Sequence, residues 1–211
     1  MPDEMGVFDV MYHCRAMRRL KADPVPKDVL VSLVDAANQA PTGSNTQAMR
    51  WIVVTGSEQK KELAALNKAA VDAYLALDSP RVRVLPHQTE EQRERQRQAV
   101  LWQADHMAEI PALIIACMKF PEPVSSSAAA YGGGSVWPGV QNLLLAARAL
   151  GLGAAPTTLG LSNREAARAV LGLPNNVEAF ALIPVGYPMG KFGPLTRLPV
   201  GATMSWDRWG E

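Results

Sequence analysis

The chain has 211 residues, room for one domain or at most two, and 48% of them are hydrophobic, ample for a packed core. Lys and Arg number 21 against 20 Asp and Glu, a net charge of +1, which argues against bulk attraction to nucleic acid or a membrane surface. No apolar run approaches the ~18 residues that span a bilayer, and the two distant cysteines, Cys14 and Cys117, point to a reducing, cytoplasmic setting without a disulfide.

The opening MPDEMGVFDVMYHCRAMRR is acidic before it is basic and lacks a long apolar core, so no signal peptide is expected. Arg15, Arg18, Arg19 and Lys21 then cluster. In VPKDVLVSLVDAANQAP, residues Val29, Leu30, Leu33, Val34 and Ala37 share one helical face, with Pro26 in the first turn and Pro41 as the stop. A polar loop, APTGSNTQAMRW (40–51), follows and is longer than most connections. It leads into a short buried strand, WIVVTG (51–56). A helix is expected over 57–78 with Ser57 as its N-cap. Residues 79–88 read as irregular. A second long helix opens at Thr89, which forms a capping box with Gln92; its first half is nearly all charged or amide.

PALIIACMKF (111–120) reads as a buried strand and PEPVSSSAAAYGGG (121–134) as a flexible loop. SVWPGVQNLLLAARALGLG (135–153) is apolar on almost every side, as in a core helix or a subunit-interface helix. SNREAARAVLG (162–172) has Ser162 and Glu165 as a capping box, and EAFALIPVGYP (178–188) reads as the last buried strand. The tail 189–211 is rich in Gly and Pro and carries Trp206 and Trp209. An arm packed on a partner subunit would explain its apolar content. Helices and strands alternate at spacings too long for simple βαβ units. The fold class is therefore α+β, a mixed and mainly antiparallel sheet covered by helices.

Several chemistries lack their residues. His13, His87 and His106 are scattered, and no His/Cys/carboxylate spacing suits a metal. There is no G-x-S-x-G elbow, and GGGSVWPG lacks the G-K-[ST] end of a phosphate loop. GLGAAP follows a helix instead of a strand, so a glycine helix stop at Gly151 or Gly153 accounts for it better than a dinucleotide fingerprint. Three polar stretches remain. RAMRRLK offers planar guanidinium forks suited to phosphate, though a solvated basic helix end would use the same residues. APTGSNTQ offers amides that can read the edge of a heterocycle, or can merely cap a helix exit. LTRLPVG places Arg197 in the tail.

Arginines just before DPVP, the loop APTGSNTQ before a strand, the helix QNLLLAARALGLG, PVGYP ending the last strand and TRLP in the tail occur in this order. In that order the chain resembles, over roughly its whole length, the FMN-dependent nitroreductase-like family. The resemblance implies one FMN-binding domain over 1–211, a homodimer with FMN at each of two interface sites, and a C-terminal arm exchanged between subunits. By that resemblance the loop Pro41, Thr42, Gly43, Ser44, Asn45 and Gln47 lies along the flavin. Ser44, Asn45 and Gln47 contact the ring or ribityl chain, and Thr42 and Gly43 supply close backbone. The segment Arg15, Ala16, Arg18 and Arg19 holds the phosphate and the pyrimidine end. Arg15 and Arg18 are the favoured register; a slipped one pairs Arg15 with Arg19. The turn containing Pro156, Thr157, Thr158 and Leu159 presents backbone N–H groups near flavin N5 and O4, and Arg197 matches a phosphate-binding arginine. Cys14, Ala16, Ala48, Met49 and Leu195 depart from the usual family residues.

The implied activity takes hydride from NADH or NADPH onto flavin N5 and reduces a small electron-poor acceptor, a nitroaromatic or quinone. It needs no metal and no catalytic side chain. Segments 79–108 and 121–134 would form walls or a lid. A non-catalytic flavin-binding or storage protein, or a flavin-fragmenting or dehydrogenase variant of the same fold, are the alternatives.

Overall fold

A computed structural model describes residues 5–76 and 87–210. The helices are α1 (Val7–His13), α2 (Lys27–Asn38), α3 (Ser57–Ala76), α4 (Glu90–His106), α5 (Ser126–Ala149) and α6 (Arg164–Leu171). The strands β1 (Met49–Val54), β2 (Ala112–Lys119), β3 (Gly153–Ala154) and β4 (Val177–Gly186) form a sheet in the order β1-β2-β4-β3. All three pairings are antiparallel, so the expected mainly antiparallel α+β architecture is present.

Three layers follow from the alternation of side chains along the strands. Ala112, Ile114 and Ala116 of β2 face one way, toward Leu30, Leu33 and Ala37 of α2 and Val136, Val140, Leu143 and Ala147 of α5. Leu113, Ile115 and Cys117 face the other way, toward Leu63 of α3. Both faces of β2 are covered, which is why its residues 112–117 are all buried and its sequence is one apolar run. The register shifts between Ala116, opposite Ala181, and Cys117, opposite Ala179. Phe180 is the extra residue of this bulge and packs, with Ala181, on the α5 side.

Several local expectations move. The first strand begins at Met49, two residues early. Ser57 is the first residue of α3 instead of its cap; the Gly56 carbonyl accepts from Lys60 N at 3.1 Å. The end of that expected helix at 77–78 and the irregular stretch 79–86 lie outside the described residues. The Thr89–Gln92 capping box is present in both directions. The helix α6 is capped by Asn163, whose side chain accepts from Ala166 N, while Ser162 turns back to donate to the Leu159 carbonyl. No Ser162–Glu165 box forms.

The largest correction concerns the expected loop 121–134, whose second half is the start of α5. One of its glycines is there for contact. A Cβ on Gly132 would come within 2.9 Å of Phe120 and 3.0 Å of Phe180, so α5 approaches the bulged strand through a notch only glycine leaves. Gly139 does the same against α2, where a Cβ would lie 2.8 Å from Met49 Sδ and 3.1 Å from the Ala37 carbonyl. Gly151, with φ +75°, follows the last turn of α5 as the expected helix stop. Among the described residues no helix is long and apolar enough to cross a membrane.

Candidate functional site

The segment after α1 is fixed by the end of β4. Lys21 N donates to the Tyr187 carbonyl at 2.8 Å, and Met189 N to the Arg19 carbonyl at 3.0 Å. Leu20, between them, is 2% exposed and bridges Pro188. With Leu20 anchored inward, Arg15, Ala16 and Arg18 border a cavity of about 1140 Å3. The tail returns to the same place: Leu195 N donates to the Tyr12 carbonyl at 3.1 Å, and Leu195, Thr196, Arg197 and Leu198 line the cavity. Tyr74 and Leu75 of α3 and one side of α4 complete its wall. Arg19 is exposed and outside this lining.

The electrostatics of the cavity ask for an anion. Arg18 is half-buried, and among the described residues no carboxylate pairs with it. Burial alone depresses its pKa. Among the described residues Arg197 donates only to the carbonyl of its neighbour Thr196, at 2.8 Å. A cation removed from water without a counter-charge is costly, and a bound oxyanion would offset that cost. Cys14 is a different matter. Its thiol sits 3.5 Å from the Leu144 carbonyl, and burial pushes its pKa up against the opposing charge of Arg148. It is a neutral donor facing α5.

The loop 41–47 stands apart from the cavity and is held in a strained shape. Among the described residues, four non-glycine residues have positive φ, and Ser44 (50°), Asn45 (52°) and Gln47 (47°) are three of them. Such backbone costs of order 1–3 kcal/mol per residue, less for Asn, and persists where surroundings enforce it. Three ties do so. Thr42 Oγ1 accepts from Gln47 N at 3.1 Å, and Ser135 Oγ of α5 accepts from Gly43 N at 3.1 Å. Arg50 Nη1 donates to the Gln47 carbonyl at 3.0 Å and the Met49 carbonyl at 2.6 Å. The side chains of Ser44, Asn45 and Gln47 are left exposed.

The turn Pro156–Leu159 lies outside the cavity lining as well. Thr157 spends both backbone groups on Leu182, at 2.8 and 2.9 Å. Its hydroxyl donates to Asn67 Oδ1 at 3.4 Å and accepts from Leu159 N at 3.2 Å. Thr158 is exposed, and its N–H has no partner among the described residues. Of this turn's amides, that of Thr158 alone is left available: Pro156 has none, and those of Thr157 and Leu159 are taken.

Thus one chain gathers Arg15, Ala16, Arg18 and Arg197 into a single cavity and displays Pro41–Gln47 and Pro156–Leu159 elsewhere. Ser135, Arg50 and Tyr74 are participants the sequence did not flag. Ser135 and Tyr74 carry no local signal, and Arg50 falls in the expected loop 40–51 with no role assigned to it. Of the expected walls, α4 lines the cavity, 79–86 lies outside the described residues, and 126–134 belongs to α5. Among the described residues no group of His, Cys, Asp or Glu could hold a metal ion.

A family model described as "Nitroreductase family" matches residues 13–187. The chain is 31% identical to an NADH dehydrogenase of Thermus thermophilus, covering 91% of each. It is 28% identical to an iodotyrosine deiodinase of Thermotoga neapolitana, covering 86% of this chain and 88% of that one. Among solved structures, an oxidized iodotyrosine deiodinase bound to FMN and 3-iodo-L-tyrosine superposes with a TM-score of 0.73 at 21% identity, over 98% of this chain and 100% of that one.

Proposed function

The chain belongs to the nitroreductase family, and from that premise we propose that it is an FMN-dependent oxidoreductase. It takes hydride from NADH or NADPH and delivers it to an electron-poor small molecule of the nitroaromatic or quinone type. The observation that carries the reading is Arg18, half-buried and without a counter-charge among the described residues, in one cavity with Arg15 and Arg197. These three guanidinium groups suit a phosphate, whose charge must be paired once it leaves water.

When bound, FMN supplies the hydride acceptor and donor that no side chain here can provide. The protein holds and orients it. Arg15, Arg18 and Arg197 take the phosphate and ribityl end. The exposed amides of Asn45 and Gln47 donate to and accept from a heterocycle edge. The unpartnered N–H of Thr158 donates a hydrogen bond toward the reacting edge, and α4 limits water.

The two halves of this set do not line one cavity within a single chain, and a second copy would reconcile them. In a homodimer the loop 41–47 of one subunit meets the cavity of the other. The apolar surface for such pairing is present: Phe8 is 70% exposed, Tyr12 67%, Trp206 71% and Trp209 100%. Exposing it would be costly at ~25 cal/mol per Å2. Exchange of the C-terminal arm would bury the two tryptophans.

The absorption spectrum tests the cofactor. The purified protein should be yellow, or quench FMN fluorescence at micromolar concentration, and should bleach with NADH or NADPH and recolour with a quinone. A colourless protein that leaves FMN fluorescence unchanged would end the flavin reading. A second reading, favoured by the likeness to the Thermotoga neapolitana iodotyrosine deiodinase, keeps FMN but makes a halogenated phenol the acceptor. Halide release from such a phenol by the reduced protein, with no quinone turnover, would select it.

A further inference from the structure

We propose that the reactant stacking in this cavity carries a carboxylate or phosphate, recognised by Arg97 within an amide-and-guanidinium wall on α4. This rests on the flavin reading above and adds the chemical class of the reactant. Among the described residues the cavity is lined by six arginines, Arg15, Arg18, Arg93, Arg95, Arg97 and Arg197, and by no carboxylate. The flavin phosphate, with close to two charges, is matched by the three that α4 does not contribute. The other three line the cavity from α4. At about 1140 Å3 the cavity exceeds the roughly 300–1,000 Å3 of an ordinary ligand pocket, leaving room for a second molecule beside a cofactor.

A solvated charged helix would scatter both signs around its surface. Here the signs are sorted. Glu91 and Glu94 stay off the cavity and each holds an arginine that is on it, Arg95 at 3.3 Å and Arg97 at 2.8 Å. The Arg97 pairing is a fork: Nε and Nη2 donate to the two Glu94 oxygens at 2.8 and 3.0 Å. Glu94, held down to about 2 by Arg97 and Gln98, stays ionised at any working pH and keeps the fork oriented. Among the described residues Nη1 has no partner, and its two hydrogens remain for a ligand. Gln92 and Gln96, four apart on α4, share one face, and Gln88, just before the helix cap, lines the cavity with them. Gln88 Nε2 donates to Gln96 Oε1 at 3.2 Å, while Gln88 Oε1 is enclosed with no donor among the described residues. A wall of this kind suits a polar, anionic molecule better than a bare ring, because a cleft of one sign concentrates oppositely charged reactants.

The anion can belong to the acceptor or to the reductant, and the experiment separates them. The FMN-loaded protein is titrated, without reductant, with nitrobenzene and with 4-nitrobenzoate, following the flavin absorbance. In parallel the KM for NADPH is compared with that for NADH. At least one anionic member should be favoured by about tenfold at low salt, with the preference shrinking several-fold near 0.5 M salt. Arg97→Gln should cut that preference roughly three- to fivefold, as for a partly exposed charge pair, and Arg97→Lys should restore part of it. A preference confined to 4-nitrobenzoate assigns the group to the acceptor; one confined to NADPH assigns it to the reductant. Equal affinities within each pair, or a preference untouched by Arg97→Gln, would overturn the proposal while leaving the flavin reading intact. Failure of the wild-type protein to load FMN would overturn both.

Discussion

The arginine segment 15–20 and the loop 41–47 are both polar and both lie between α1 and β1, yet the fold treats them oppositely. The first is made by its own chain: Leu20 is 2% exposed, and the backbone on either side of it is bonded to residues 187 and 189. Its arginines are gathered with Arg197 into a cavity. The second is bent through three left-handed residues and tied to Ser135 and Arg50, with Ser44, Asn45 and Gln47 exposed and outside that cavity. A shape that costs energy to hold, presented to nothing within the chain, makes sense if what it meets comes from outside. Under the proposed function, the contrast separates residues placed for binding within one chain from residues prepared for a second subunit.

The sharpest way to break the comparison is to remove the second subunit. A chain truncated after Leu198 keeps Arg15, Arg18 and Arg197 but loses Val200, Met204, Trp206 and Trp209, all exposed. Interfaces of obligate dimers bury more than roughly 2,000 Å2, and an exposed arm of this size would supply a good part of that. The wild-type protein should be dimeric by light scattering at low micromolar concentration and the truncated chain monomeric. FMN affinity should fall by about a hundredfold or more, because several polar contacts of ~1–3 kcal/mol leave together. A wild-type monomer that binds FMN, or a truncated chain that binds it equally well, would show the loop to be irrelevant to the cavity.

Next in size are the arginines. Arg15→Ala and Arg197→Ala should each weaken FMN binding by roughly ten- to a hundredfold, on the scale of about 1.5–3 kcal/mol for a charged hydrogen bond. Turnover per bound flavin should change little, since these groups act at the phosphate end. Neither change threatens the fold, as both side chains are exposed. Wild-type affinity in both variants, measured by fluorescence quenching, would mean the residues are wrongly matched.

On the loop side the expected effect is smaller. Arg50→Ala removes the tie to the Gln47 carbonyl and lets residues 44–47 relax. Binding must then restore the strained shape, at about 1 kcal/mol for one lost hydrogen bond, or roughly fivefold in FMN affinity. Arg50→Lys, which can still reach a carbonyl, should recover part of it. If Arg50→Ala costs as much as Arg15→Ala, the loop is more than a prepared shape and Arg50 itself reaches the ligand.

What the sequence disclosed of this arrangement was its local part. The strands β2 and β4 are legible because both of their faces are buried, so each is a continuous apolar run. The Thr89–Gln92 box is legible because its partners lie three residues apart. Long-range reasons were not. The glycines at 132–134 read as a loop, since local propensity disfavours them in a helix; the approach of Phe120 and Phe180 explains Gly132, and nothing in the structure explains Gly134. Asn163 and Ser162 are both good caps, and local preference could not say which one the chain would use. The tie between Gly43 and Ser135 spans 92 residues and leaves no pattern to read. The site was legible as a set of residue types in order, but which of them share a wall was not.

The smallest effect is expected at adjacent threonines, and it separates a backbone role from a side-chain one. Thr157 uses its hydroxyl twice, donating to Asn67 Oδ1 at 3.4 Å and accepting from Leu159 N at 3.2 Å. Asn67 is 2% exposed. Thr157→Ala would leave a buried acceptor and an amide unpaired and should cost about 1–2 kcal/mol of stability. In a chain of this size that lowers Tm by about 2–8 °C. Thr158 makes no side-chain bond among the described residues and is exposed, so Thr158→Ala should shift stability by less than about 0.5 kcal/mol. Its part in the proposed chemistry is the backbone N–H, which alanine retains. Turnover per bound flavin should therefore also stay within about twofold, a shift well under the ~1.4 kcal/mol of a tenfold change. A loss of a hundredfold in rate for Thr158→Ala, with Tm and FMN affinity unchanged, would move the function from the amide to the hydroxyl. The residue would then be a catalytic side chain in a site here argued to need none.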